Sequence, residues 1–257
     1  MKRSVLIVLC YMVLLQFVMP LLVMIPYALI QLVQTGQTHQ EALLQQIAVP
    51  SHLATAVVIL VASVWHAFRR GRQLQLTAFV QPRVLVAALV AMASSVLLIE
   101  PLLSGLNLPD TSGGSFNLLL SNVVGVLAVG VIGPIAEELV FRKHVMAAMS
   151  RYTPAVRILF SAFLFGIFHI NPAQVLPAFI LGLLLAWVYE RSGSILLTCV
   201  MHIVNNSASM WLMSHYGKSI EILPGTLHWG VRSLAYLGVF LLLVGSLRII
   251  ARSSADR

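Results

Sequence analysis

Apolar residues in this chain fall into long uninterrupted runs separated by short polar stretches. The runs cover roughly residues 4–33, 51–68, 84–103, 117–149, 155–170, 173–189, 194–214 and 230–250. About 20 apolar residues in an α-helix match a hydrocarbon layer about 30 Å thick. The pattern therefore predicts an all-α, polytopic transmembrane helix bundle of about eight spans, read as one membrane domain over residues 1–257. The first run exceeds what a bilayer needs and contains Pro20 and Pro26, so it is expected to kink, tilt or continue along the interface. No internal repeat or low-complexity tract interrupts the pattern.

Composition removes the soluble alternative. Of 257 residues 59% are hydrophobic and 9% charged, against about 25% charged in an ordinary globular protein. Eight Asp and Glu residues are too few to clothe a water-facing surface. The net charge of +8 raises nucleic acid as a partner, but no basic run is interleaved with aromatics on a solvated segment, and that class is excluded. The positive charge reads instead as a topology signal. Lys2 and Arg3, then Arg69, Arg70, Arg72 and Arg83, then Arg142, Lys143, Arg151 and Arg157, then Arg191, then Arg248, Arg252 and Arg257 all fall on one side of the alternating spans. The opposite loops hold Lys218, with Arg232 just beyond. Both termini are therefore expected in the cytoplasm. The stretch from Arg69 to Arg83, with Leu74, Leu76, Phe79 and Val80 among polar residues, fits a short amphipathic piece on the inner membrane surface. The uncharged run from Ser4 to Val33 is too long for the apolar region of a signal peptide and is read as a retained span. Cys10 and Cys199 lie inside apolar runs, where a thiol is inert and no disulfide framework is expected.

An ionisable side chain at the bilayer centre costs about 2.5–3.5 kcal/mol on insertion scales, so each one in a span needs a partner or a task. His66 and Glu100 adjoin span ends and can snorkel. The others are Glu137, Glu138 and Arg142 in the fourth span, His169 at the end of the fifth, and His202 with Asn206 in the seventh. Glu138 and Arg142 stand four apart on one helical face and can pair. Glu137, turned about 100° from Glu138, is left to face something else. The bland reading places both glutamates in the headgroup region of a helix ending near residue 140. Continuing the fourth span to Met149, with Thr153 and Pro154 opening the fifth, submerges them instead. At 1.5 Å per residue Glu137 then lies about 18 Å from the inner end, His169 about 21 Å, His202 about 12 Å and Asn206 about 18 Å. Three helices would bring polar groups to a similar depth, as in one cavity opening toward the cytoplasm or inner leaflet.

A carboxylate with an imidazole can deprotonate water and return the proton to a leaving group, and a second imidazole with an amide can donate to a developing oxyanion. The inventory fits hydrolysis of an amide without a covalent intermediate. It also fits a divalent metal such as zinc on Glu137, His169 and His202, although the HExxH pattern is absent. A third use of buried Glu, His and Arg is the proton relay of a transporter, against which stand the missing inverted repeat and the confinement of these groups to part of the chain.

The residues resemble a known family. Glu137-Glu-Leu-Val-Phe-Arg142 matches EExxxR, Phe165-Gly-Ile-Phe-His169 matches FxxxH, and His202-Ile-Val-Asn-Asn206 matches HxxxN. Their order and spacing are similar to the CAAX prenyl endopeptidase and bacteriocin-processing (CPBP, or Abi) intramembrane proteases. The resemblance spans 133–206, including Gly193-Ser-Ile195. It implies a catalytic core at 117–214, with spans 1–3 in 1–116 before it and a last span and tail in 215–257. It implies that Glu137 with His169 activates water, that His202 and Asn206 stabilise the oxyanion, and that Glu138 and Arg142 support the site. It further implies a peptide or lipidated-protein substrate met at the membrane lipid, in a prokaryotic plasma membrane, with no cofactor favoured and a divalent metal left open. A non-catalytic immunity or partner protein that keeps the same fold is a further reading of the intact motifs.

The charge pattern is tested by single cysteines. At Thr38, Ser112 and Gly225 they should react in intact cells with an impermeant thiol reagent added outside, and at Gly71 and Ser253 they should not. Labelling at Gly71 would reverse the orientation.

Overall fold

The computed structural model describes residues 6–7, 10, 13–14, 18–35, 40–69, 80–111, 123–216 and 229–255. These form eight helices: α1 Met19–Thr35, α2 Gln40–Arg69, α3 Pro82–Leu106, α4 Val123–Ala148, α5 Pro154–Phe168, α6 Pro172–Ser192, α7 Ile195–Tyr216 and α8 Trp229–Ala255. Among the described residues no strand occurs. Five helices, α3, α4, α6, α7 and α8, are long and apolar enough to cross a membrane, and Met19–Gln34, Val49–Ser63 and Pro154–Phe168 are shorter apolar helices. The chain is an integral membrane protein of the polytopic helical class, as the hydropathy pattern requires.

Two boundaries differ from the pattern for identifiable reasons. The second helix begins at Gln40, well before its apolar run, because Gln, Glu, Ala and Leu at 40–46 are good helix formers that counting apolar residues passes over. The eighth continues past the apolar run to Ala255. The inner-surface piece at 70–79, the start of the fourth span at 117–122, and residues 112–116 and 217–228 lie outside the described residues.

The chain divides into two compact units: Met1–Gln75 with Ser112–Met149, and Leu76–Thr111 with Ser150–Arg257. In the first, α4 packs against α2. Ser63 Oγ on α2 stands 3.0 Å from His144 Nε2 on α4, a polar tie between two apolar helices. The α4 helix is not a uniform α-helix. At Ala128–Ile132 and again at Leu139–Val145 its backbone widens to i→i−5 bonding, with Gly133 N–H donating to Ala128 O and Met146 N–H to Phe141 O. Such wide turns are rare and occur disproportionately at functional positions. The uniform 1.5 Å rise behind the depth of Glu137 therefore does not hold across 139–145. The rest of the expected path does: α4 reaches Ala148, and Thr153 caps α5 by accepting from Val156 N–H, with Pro154 following.

In the second unit, one face of α3 formed by Val84, Ala87, Ala88 and Ala91 packs with Leu184, Leu185 and Val188 of α6, Leu197 and Met201 of α7 and Ile250 of α8. The spacing 84, 87, 88, 91 is the helical period, and small alanines allow close approach where lipid supplies no hydrophobic contrast. The closest packing is between α5 and α6. A Cβ on Gly166 would sit 2.9 Å from Val175 O and 2.9 Å from Phe179 Cβ, and one on Gly182 would sit 3.1 Å from Ala162 Cα. Two glycines thus set the separation of the hairpin that ends in His169. At the other end of the hairpin Arg157 pairs with Glu190.

Gly166→Ala must therefore push α5 and α6 apart against backbone. Its thermal midpoint in detergent should fall by several degrees relative to wild type, as for a substitution costing about 1–3 kcal/mol, whereas Gly238→Ala on α8, where nothing stands within 4 Å of the new Cβ, should melt with wild type. Equal melting of both variants would show that the hairpin separation is not set at Gly166.

Candidate active site

The acidic motif lies on α4 in the first unit. Arg142 Nε is 3.1 Å from Glu138 Oε2, and both side chains are fully buried. The contact is an ion pair by distance and not an aligned hydrogen bond. The i,i+4 spacing read from the sequence is realised even though Arg142 sits in the wide turn. Glu137, one residue earlier, is half-buried, so the two adjacent carboxylates have different surroundings: one is enclosed with a guanidinium, the other reaches the edge of the packed interior. A helix ending near residue 140 is not what forms. Its continuation encloses Glu138, Phe141 and Arg142.

Both histidine motifs lie in the second unit. His169 follows α5 directly, half-buried, with its ring edge-on to Phe165 at 5.0 Å and to Phe168 at 5.9 Å. Its Nδ1 lies 2.9 Å from Phe165 O. A carbonyl can only accept, so Nδ1 carries the hydrogen and, in the neutral ring, Nε2 carries the lone pair. His202 on α7 is 2% exposed, and its ring meets the same Phe165 ring at 5.6 Å, also edge-on. The phenyl ring of FxxxH is thus the spacer on which the two imidazoles, 33 positions apart in the chain, are gathered. Asn206, one turn after His202, is half-buried and accepts from Asn205 Nδ2 at 3.3 Å. That contact commits its oxygen to its own helix. Cys199, one turn before His202, is buried, as an inert thiol would be.

Among the described residues no three His, Cys, Asp or Glu side chains converge where they could hold a metal ion.

The sequence reading passed over Asn171. The chain reverses between α5 and α6 through Ile170 and Asn171, with Ile170 at φ +59°. Asn171 is buried; its Oδ1 accepts from Ala173 N–H at 3.3 Å and from Thr111 N–H at 3.2 Å, and its Nδ2 donates to Asp110 Oδ1 at 2.9 Å. Asn followed by Pro is a helix-opening signal, and it was available at Asn171-Pro172. The tie to Asp110 and Thr111, about 60 residues away in sequence, left no local trace.

Residues 119–208 match the family model described as Type II CAAX prenyl endopeptidase Rce1-like. The segment that carries all three motifs is thus similar to the CAAX-type membrane proteases of the CPBP family. A curated relative, UPF0177 protein YxdF of Lactococcus lactis subsp. lactis (strain IL1403), is 28% identical over 91 residues, 32% of this chain and 50% of that protein. The chain therefore spans about half the length of the curated relative it matches. No solved structure matches it.

The enclosed pair gives a stability test. Arg142→Ala leaves Glu138 as a buried charge without its guanidinium, a change of about 3–5 kcal/mol, so its unfolding midpoint in detergent should drop well below that of Glu137→Gln. Wild-type melting by Arg142→Ala would mean that the pair is solvated.

Proposed function

We propose that the protein is an intramembrane endopeptidase that hydrolyses a peptide bond of a membrane-associated or lipidated substrate by glutamate-activated water. The observation that carries this reading is the state of His169: its Nδ1–H is committed to Phe165 O, which leaves Nε2 as the nitrogen able to accept a proton or orient water, beside a second imidazole on the same phenyl ring. The family of the 119–208 segment supports a protease at the level of class.

In the proposed reaction Glu137, with His169 as its partner in activating water, takes a proton as the water oxygen bonds to the scissile carbonyl carbon. The carbonyl oxygen becomes an oxyanion, and donors on His202 and Asn206 stabilise it. The proton then passes to the departing nitrogen as the C–N bond breaks, releasing a carboxylic acid and an amine. Glu138 and Arg142 take no proton in this scheme; their part is to keep the wide turn beside Glu137 closed. The substrate meets the site from the membrane lipid, in a prokaryotic plasma membrane with both chain ends cytoplasmic, and no nucleic acid takes part.

Glu137→Gln keeps size and hydrogen bonding but removes the base, so cleavage should fall by orders of magnitude in a protein that still folds. Removing one oxyanion donor costs about 100–1000-fold, so Asn206→Ala should be slow and not dead. The readout is mass spectrometry of peptides that accumulate in membranes carrying Glu137→Gln and not in those carrying wild type, repeated with the purified protein on the peptides so found. Chelation should leave the rate unchanged. Loss of activity on chelation, restored by added metal, would replace the glutamate-only scheme with metal-assisted hydrolysis, and identical peptide profiles for the two membranes would overturn the peptidase reading.

A further inference from the structure

The geometry points to Asn171 and Asp110 as positioning residues that hold the His169 turn in its working conformation, an inference that rests on the proposed peptidase reading for the task of His169 and on the contacts alone for the device.

The α5 helix has 15 residues, about 22 Å at 1.5 Å per residue, while the hydrocarbon core is about 30 Å thick. A turn directly after it, in a helix that begins at one membrane surface, is still at hydrocarbon depth. Non-helical backbone there must have its polar groups satisfied by protein, because no water is at hand. Asn171 does this with one side chain. Its Oδ1 takes the N–H groups of Ala173 and Thr111, and its Nδ2 is fixed by Asp110.

The same turn is strained. Ile170 has φ +59°, a region that β-branched residues avoid and that persists only where surrounding structure imposes it. It lies between His169 and Asn171, so a change at Ile170 is transmitted directly to the His169 backbone. The Nδ1–H bond of His169 goes back to Phe165 O at 2.9 Å, and that bond depends on the backbone direction at residue 169. A two-point clamp at Asn171, closed by Asp110, holds a strained turn, and the strained turn fixes which imidazole nitrogen carries the proton. For metal-bound histidines, removing the group that holds the far nitrogen typically costs about 10–100-fold in affinity or activity, and a loss of the same order is expected here.

The test uses the whole protein in detergent with ring-labelled histidine, read by NMR. Wild type should show His169 as the Nδ1–H tautomer. Asn171→Asp keeps the Oδ1 that accepts from Ala173 and Thr111 but replaces the donor with a carboxylate oxygen against Asp110, and should give a mixed tautomer and a kcat on the peptide substrate lowered about 10–100-fold with little change in KM. The exchange Asp110→Asn with Asn171→Asp restores a donor and an acceptor across the contact and should recover both. Ile170→Gly, which adopts the positive φ without strain, should recover the tautomer in the Asn171→Ala background, which a role confined to capping α6 would not produce. Wild-type tautomer populations in Asn171→Asp, or failure of both the exchange and the glycine to restore them, would overturn the inference. Because the tautomer is read without substrate, it is decided separately from whether the protein cleaves peptides.

Discussion

A polar group placed among apolar helices must find its partner within the protein, and the details of this molecule follow from that constraint. Lipid offers neither water nor a hydrophobic contrast between helices, so helices approach closely only where side chains are small and stay registered only where polar atoms meet. Both conditions are visible in the second unit. Gly166 and Gly182 let α5 lie against α6 at backbone range, and the reversal between them is closed by the amide of Asn171. In the first unit the same constraint is met by charge: Arg142 and Glu138 enclose one another, which allows a second carboxylate at the adjacent position to keep a less enclosed environment.

That difference between adjacent glutamates is what makes division of labour possible. A base must be reachable and must exchange a proton; a buried carboxylate locked to a guanidinium does neither readily. The histidines divide in a similar way. The ring of His169 has one nitrogen assigned to a backbone carbonyl, whereas His202 is enclosed within its own unit against the Phe165 ring. Phe165 serves both, so an aromatic residue with no chemistry of its own sets the spacing between two that have it. Its apolar faces also dry the surroundings, and hydrogen bonds to a developing charge gain strength as water is excluded.

The sequence was most informative where a physical rule has a single outcome. Uncharged runs of bilayer length had to become helices, Thr153-Pro154 had to open one, and Glu138 and Arg142 four apart had to meet; among the described residues all three are realised. It was silent where the outcome depends on partners distant in the chain. Asn171 reads locally as a helix cap, and only folding brings Asp110 and Thr111 to it. The gathering of His169 and His202 on Phe165 is of the same kind, since spacing within each motif places a residue on a helix face but says nothing of the face opposite. The i→i−5 turns of α4 had no signal at all, because hydropathy and propensity do not distinguish one more residue in a hydrogen-bonded ring. The helical start at Gln40 shows the converse error, where polar composition hid a helix that propensity favours.

The wide turn at Leu139–Val145 bears on how this helix tolerates change in length. An i→i−5 ring holds one residue more than an i→i−4 ring, so the stretch already stores an inserted residue without breaking the helix. Removing one residue after Arg142 within it closes an ordinary α-turn and leaves the parts on either side in nearly the same relative orientation, whereas the same deletion in a regular α-helix turns one part by about 100° against the other. The wide turn therefore makes this helix tolerant of a single deletion between Arg142 and Val145: the acidic motif would keep its aim, where an ordinary α-helix would lose it.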